Sequence, residues 1–440
     1  MKKLLILAYD FPPYVSVGGL RPASWAKYLH EFDVFPIVVT RQWSNNYGSA
    51  LDYIAPSESK KVVIENIDTA TIIRTPYKPN LANKISLKYG NTKYTFLRKF
   101  ITAFYEIFQW IFIIGPKSQL YFTAKEYLKN NKVDYIIATG DPFILFRYAS
   151  KLSKKFNTPW IADYRDPWVE SGGIQQKFNR SLERKYLKNV YKITTVSEFL
   201  VQKIKQNLPS KSFEILINGY DLPETKQLSA ITQNSKSISF AYTGTIYKWH
   251  PLESVLSVFE QFIKNNPAAK ITLNFYGINE IDKVTNVITQ NYPVLQSCSF
   301  IYKRMPNIEL LEKLAQNNIM LLFNYYSYSG TKIYDYLAIK RKIILCYSDD
   351  KEALELKRKY YNIEEIEGIS KQLQTDILDD TNAGIVVKNR EHLYSVLTDL
   401  YKEFEQNKCI ACNSANTEKY SRRLQTEKLA KIITKQNNQK

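Results

Sequence analysis

A chain of 440 residues with 45% hydrophobic content can bury two cores of ordinary size, and four cysteines are too few to staple a fold of that length. Its 61 lysines and arginines exceed 42 aspartates and glutamates, a formal charge of +19 that calls for anionic partners such as nucleotides, anionic lipids or nucleic acid. No window of about 18 uncharged apolar residues exists, which excludes a spanning helix, and the opening MKKLLILAYDFPP breaks at Asp10 and Pro12, short of a signal-peptide core. These traits suit a reducing cytoplasm, with the protein free or peripheral on the inner face of the cell membrane.

Short apolar runs alternate with amphipathic stretches from the first residue, the pattern of βαβ units around parallel sheets. In the first half the expected strands are LLILAYD, PIVVT, DYIIATG, PWIADY, KITTVS and FEILI. The second half restarts with SISFAYTG, KITLNFYG, CSFIYK, NIMLLFN and KIILCY. Between them NGYDLPETKQLSAITQNSKS reads as a polar linker. The expected division is therefore 1–221, 222–415 and a C-terminal segment 416–440, where Tyr420, Leu424, Leu429, Ile432 and Ile433 recur at helical spacing. The final KQNNQK reads as a frayed tail.

Three loops carry chemistry. The first runs from Asp10 through Gly18, Gly19 and Arg21, directly after the first strand. Paired glycines there let a ligand approach the backbone at the carboxyl end of a strand, although a plain loop fits the same residues. The second, from Tyr242 through Gly244, Thr245 and Lys248 to His250, offers a glycine, a hydroxyl and a cation before a helix, a recipe for phosphate. Its bland reading is a tight turn with a solvated lysine. The third, Ser329-Gly330-Thr331-Lys332 with Asp335 one turn on, opens a helix whose amides could hold a diphosphate while the carboxylate accepts ribose hydroxyls. There the alternative makes Ser329 an N-cap and Asp335 a favourable dipole charge.

At these residues the chain resembles the family 4 glycosyltransferases of the GT-B fold along essentially its whole length. The run Trp160-Ile-Ala-Asp163-Tyr-Arg165-Asp166 is similar to the family's strand and loop at the interdomain cleft, and ITTVSE followed by INGYD to its hinge approach. GTKIYDYLA matches the helix carrying the nucleotide ribose ligand, with Asp335 where a glutamate is usual. The resemblance implies two Rossmann-like domains facing a cleft, with a last helix crossing back to the first domain. It implies transfer of a sugar from a nucleotide-diphosphate sugar, retaining and metal-independent, to a lipid-linked or oligosaccharide acceptor in surface glycan synthesis. Donor contacts fall to Gly244, Thr245, Lys248, Arg304, Met305, Gly330, Thr331, Lys332 and Asp335. Gly18, Gly19, Arg21 and Arg165 face the acceptor, and Asp141 and Asp166 stand as catalytic residues. Departures are Ser327 in place of the partner glutamate, Thr245 in place of an arginine, and no histidine near Asp141, which imply altered donor choice or reduced activity.

No aspartate stands two positions from another, so the DxD motif that holds Mg²⁺ under a diphosphate is missing and no metal or cofactor is expected. Cys409 and Cys412 form a CxxC pair without a second pair, which reads as a loop. From 74 to 129 there are ten cations and only two acids, Glu106 and Glu126, with Phe100, Phe104, Phe108, Ile111 and Phe112 on one helical face. This basic aromatic segment reads as an anionic-membrane surface, against an ordinary core helix with solvated lysines. No recognition motif accompanies the cations, so nucleic acid is not an expected partner. Two rival functions remain: a GT-B-like sugar-nucleotide epimerase, which the scarcity of histidine disfavours, and a weakly catalytic binding or scaffold protein.

Overall fold

The computed structural model describes residues 1–14, 16–43, 51–169, 173–221, 228–361 and 363–435. Part of the expected linker, 222–227, and the tail at 436–440 lie outside the described residues. The chain divides into two units, 1–218 with 422–440, and 219–421.

In unit 1 the strands are β1 (Lys2–Leu7), β2 (Val34–Arg41), β3 (Val63–Ile67), β4 (Ala70–Thr75), β5 (Tyr135–Gly140), β6 (Trp160–Tyr164), β7 (Lys192–Thr195) and β8 (Phe213–Ile215). They form one sheet in the order β3-β4-β2-β1-β5-β6-β7-β8, parallel except for the β3–β4 pair. Leu4 of β1 stands opposite Pro36 on one side and Tyr135 on the other. Continuous apolar runs suit strands covered on both faces, and Leu4 to Leu7 are fully buried. One face packs Leu5, Leu7, Ile136 and Trp160 against the helix Ile144–Phe156. The other packs Leu4, Ile6 and Ile161 with Leu429, Ala430 and Ile433 of the helix Arg422–Thr434. The last helix of the chain thus crosses back to the first unit.

Unit 2 contains β9 (Ile238–Thr243), β10 (Ile271–Tyr276), β11 (Ser299–Tyr302), β12 (Ile319–Phe323), β13 (Lys342–Cys346) and β14 (Gly384–Val387). All are parallel, in the order β11-β10-β9-β12-β13-β14. Phe240, Tyr242, Phe275 and Ile344 join Phe259 of the helix Leu252–Asn265 and Leu397 of the helix Arg390–Asn407 in its core. Each of the eleven apolar runs expected as strands forms one. β3, β4 and β14 were not expected.

The basic segment holds the helix Thr95–Phe108, in which no residue is buried. Phe96 is 87% exposed and Phe100 68%, and Phe104, Ile107, Ile111 and Phe112 are exposed as well. Trp110, by contrast, stacks on Trp168 at 5.2 Å. The core-helix alternative fails, because this helix turns a row of aromatic and aliphatic side chains outward. No helix among the described residues is long and apolar enough to cross a membrane.

Candidate functional sites

Open parallel sheets bind ligands beyond the carboxyl ends of the strands where strand order reverses. In unit 1 the chain leaves β1 for β2 on one side and later returns to β5 on the other, so the reversal lies between β1 and β5. In unit 2 it lies between β9 and β12.

At the end of β1, Ser16 caps the helix Val17–Tyr28 by accepting from the Gly18 amide at 3.0 Å. The same hydroxyl donates to Asp10 Oδ2 at 2.6 Å. Burial pushes the Asp10 carboxyl up, the Ser16 hydrogen bond and the Arg165 charge oppose it, and Asp141 adds to the rise. Arg165, after β6, donates from Nε to Gly140 O at 3.0 Å and from Nη2 to Asp141 O at 2.6 Å. That pins its guanidinium over the start of the helix: a methyl group on Gly18 would lie 2.2 Å from Nη1 and 3.0 Å from Asp10 Oδ2. Asp141 and Asp166 are exposed. Lys117 completes the group, its ammonium 5.3 Å from the centre of the Tyr9 ring. Burial holds Lys117 below the usual lysine range, opposed by the charges of Asp141, Glu106 and Asp10. Asp141 is the charge felt by Asp10, Asp166 and Lys117 alike.

Of the residues expected here, Gly18, Asp141, Arg165 and Asp166 come together, joined by Asp10 from the same glycine loop and by Lys117, which was not expected at this site. Gly19 packs instead on the 10–11 backbone, where an added methyl would sit 3.3 Å from the Phe11 amide nitrogen. Arg21 faces the sheet interior. It is buried, pairs with Asp163 at 2.9 Å, and donates to Leu216 O at 2.6 Å and Ile217 O at 3.2 Å. Asp163 also accepts from Thr194 Oγ1 at 2.7 Å, so the pair ties the helix to β6, β7 and the end of β8.

In unit 2, β9 ends in Gly244 at φ +77°, a conformation that favours glycine. The ammonium of Lys332 reaches back across this turn, 2.5 Å from the Tyr242 hydroxyl and 2.7 Å from Thr245 O. Burial lowers the Lys332 pKa to about 7. Burial also keeps His250 well below its ordinary value, aided by the Lys332 charge, so this imidazole is neutral, and its Nδ1 accepts from the Tyr247 amide. The helix Lys332–Ile339 starts at Thr331, with no side chain capping it. Ser329 is not the cap: its hydroxyl donates to Gly330 O and accepts from Tyr334. Gly330 takes φ +65° just before the helix. Tyr336 fixes the helix to β9 by accepting from the Thr243 amide at 3.1 Å, and Asp335 beside it is partly exposed.

Arg304 and Met305 follow β11, and the Arg304 side chain crosses Gly277 at the end of β10, where an added Cβ would lie 3.3 Å from its Cγ. Gly244, Gly277 and Arg304 thus stand at the ends of three adjacent strands. Lys248, expected with Lys332 as a phosphate cation, is exposed and lies 5.9 Å from the Tyr360 ring centre. Lys332 is the cation at the Gly244 turn. Tyr247, Trp249, Tyr325 and Tyr361 form an aromatic cluster here that sequence spacing did not suggest. Together the uncapped helix start, the glycine turn and a half-buried ammonium can receive an anion.

No family model matches the chain, and no curated protein matches it. Solved structures do. A UDP-forming trehalose-phosphate synthase from Burkholderia xenovorans superposes with a TM-score of 0.59 at 9% identity, covering 98% of this chain and 99% of that one. A glycosyltransferase from Rickettsia africae gives 0.54 at 15% identity, covering 99% of each chain. WaaG, a glycosyltransferase involved in lipopolysaccharide biosynthesis, gives 0.52 at 12% identity, covering 98% and 100%. At such identities the likeness is one of fold: two parallel-sheet α/β units with the last helix returned to the first, which is the GT-B fold.

Proposed function

We propose that the chain is a glycosyltransferase that moves a sugar from a nucleoside-diphosphate sugar held by unit 2 to a saccharide or lipid-linked acceptor held by unit 1. The observation that carries this reading is Lys332, whose enclosed ammonium sits between the Gly244 turn and an uncapped helix start. A diphosphate there gains charge-assisted hydrogen bonds and the helix dipole. Asp335, one turn into the same helix, serves the ribose hydroxyls. Arg304 and Met305 serve the nucleotide from the end of β11. The resembling Burkholderia synthase is UDP-forming, which supports a nucleotide product.

In the reaction a bond forms between the acceptor oxygen and the anomeric carbon as the bond to the diphosphate breaks. The nucleoside diphosphate leaves with the electron pair, and its own phosphate oxygen takes the acceptor proton, with retention of configuration. Asp141 and Asp166 orient the acceptor hydroxyl. Without metal, the leaving charge falls to Lys332 and the helix amides. The outward aromatic row of the helix Thr95–Phe108, beside Lys93 and Lys99, supports attachment to the anionic inner face of a membrane, and WaaG's part in lipopolysaccharide biosynthesis supports a surface-glycan product.

Calorimetry in excess EDTA tests the donor side. Asp335→Ala should weaken nucleotide-sugar binding by about 1.5–3 kcal/mol, the value of a hydrogen bond to a charged group. Unchanged affinity, or binding that needs added Mg²⁺, contradicts the assignment.

A further inference from the structure

The two edges of the unit 1 sheet are finished differently. β8 closes one of them with only three residues, Phe213–Ile215. At the other, β3 pairs with β4 alone among the described residues, and every residue from Lys60 to Asp68 is exposed. Val62, Val63, Ile64 and Ile67 thus turn apolar side chains to solvent on both faces of an open edge, the kind of surface that templates a further strand. The β3–β4 hairpin turns at Asp68 and Thr69, with Ile67 opposite Ala70, and such a turn closes with a hydrogen bond between those two residues. Alternation then directs the peptide groups of Val63, Glu65 and Ile67 to β4 and those of Val62, Ile64 and Asn66 outward. The Lys61 carbonyl fits this phase, since it accepts from Gln42 Nε2, which also reaches Arg74 O on β4.

Charge along this edge has opposite signs at its two ends. Lys60 and Lys61 precede the strand and Asp68 follows it, while Glu65 between them is already paired with Arg74 at 3.1 Å. A parallel strand of the same sequence would set like charges together. An antiparallel one sets Ile64 opposite itself and Val62 opposite Asn66, outward peptide group to outward peptide group, and brings Lys60 and Lys61 beside Asp68 at each end. Glu58 falls outside that stretch.

We propose that β3 is a docking edge for a second copy of this chain, paired antiparallel about a two-fold axis at Ile64. The interface is isologous, and because β8 is too short to extend the array, assembly closes at two copies. It joins two eight-stranded sheets edge to edge and does not depend on the donor or acceptor assignments.

Sedimentation velocity of the full chain over a concentration series at low salt tests the proposal. The wild-type protein should populate a dimer. Ile64→Lys sets two ammonium groups on the axis at a position already 59% exposed, so it should weaken the dimer at least tenfold with the thermal midpoint unchanged. Lys60→Glu with Lys61→Glu should weaken self-association, as should Asp68→Lys, and an equimolar mixture of these two variants should recover the dimer as a heterodimer. A wild-type chain that stays monomeric or assembles beyond two copies, a dimer indifferent to Ile64→Lys, or variants that associate no better mixed than apart overturns the proposal.

Discussion

Replacing Arg21 by methionine should damage stability, although its place after paired glycines suggests a ligand contact. In the folded chain its buried guanidinium pairs with the buried Asp163 at 2.9 Å and satisfies the carbonyls of Leu216 and the half-buried Ile217. Methionine fills the stem but leaves the buried Asp163 carboxyl without its cationic partner, with the Thr194 hydroxyl as its remaining donor. Breaking a buried pair from one side costs about 3–5 kcal/mol. At about 2–4 °C per kcal/mol for a unit of this size, the midpoint should fall by roughly 6–20 °C. Tryptophan emission during urea unfolding reports on unit 1, because five of the six tryptophans, Trp25, Trp43, Trp110, Trp160 and Trp168, belong to it. The double change Arg21→Met with Asp163→Leu should recover most of the loss, since an apolar replacement of both partners is often neutral. A loss below about 1 kcal/mol for the single change would refute the reasoning.

Two further outcomes follow from the same geometry. With Lys332 poised at about pH 7 in the free protein, an arriving diphosphate raises its pKa, so binding takes up a proton above pH 7 and none well below it. Affinity should therefore fall by up to about tenfold per pH unit above 7, until the bound-state value is reached; calorimetry at pH 8 in buffers of differing ionisation heat checks this, and absence of proton uptake contradicts it. Phe100→Ser with Phe104→Ser should abolish cosedimentation with anionic liposomes without lowering the thermal midpoint, because no residue of that helix is buried; a wild-type protein that ignores such liposomes at low salt removes the membrane assignment.

The strands were legible because buried parallel strands write themselves as unbroken apolar runs. β3 escaped because it is an exposed antiparallel edge in which Glu65 and Asn66 interrupt the apolar residues. The glycine loop before the helix pointed to Lys332 by position, whereas Asp141 and Arg165 came from the family resemblance. What the sequence hid was pairing at a distance. Asp163 lies 142 positions from Arg21, so nothing local distinguishes a buried ion-pair arginine from a ligand-binding one. Lys117 read as one more cation of a basic stretch until the fold set it among Asp10, Asp141 and Glu106. Lys248 and Lys332 both read as phosphate cations, yet the chain turns Lys248 outward and brings Lys332 back to the Gly244 turn from the helix that follows β12.

Transfer itself tests the central claim most directly. Purified full-length protein, supplied with a panel of nucleoside-diphosphate sugars and with lipid-linked or oligosaccharide acceptors, should release free nucleoside diphosphate with at least one donor, only when acceptor is present, and Lys332→Gln should suppress that release. Conversion of the donor to its epimer without nucleotide release, or nucleotide-sugar binding with no turnover across the panel, would contradict it.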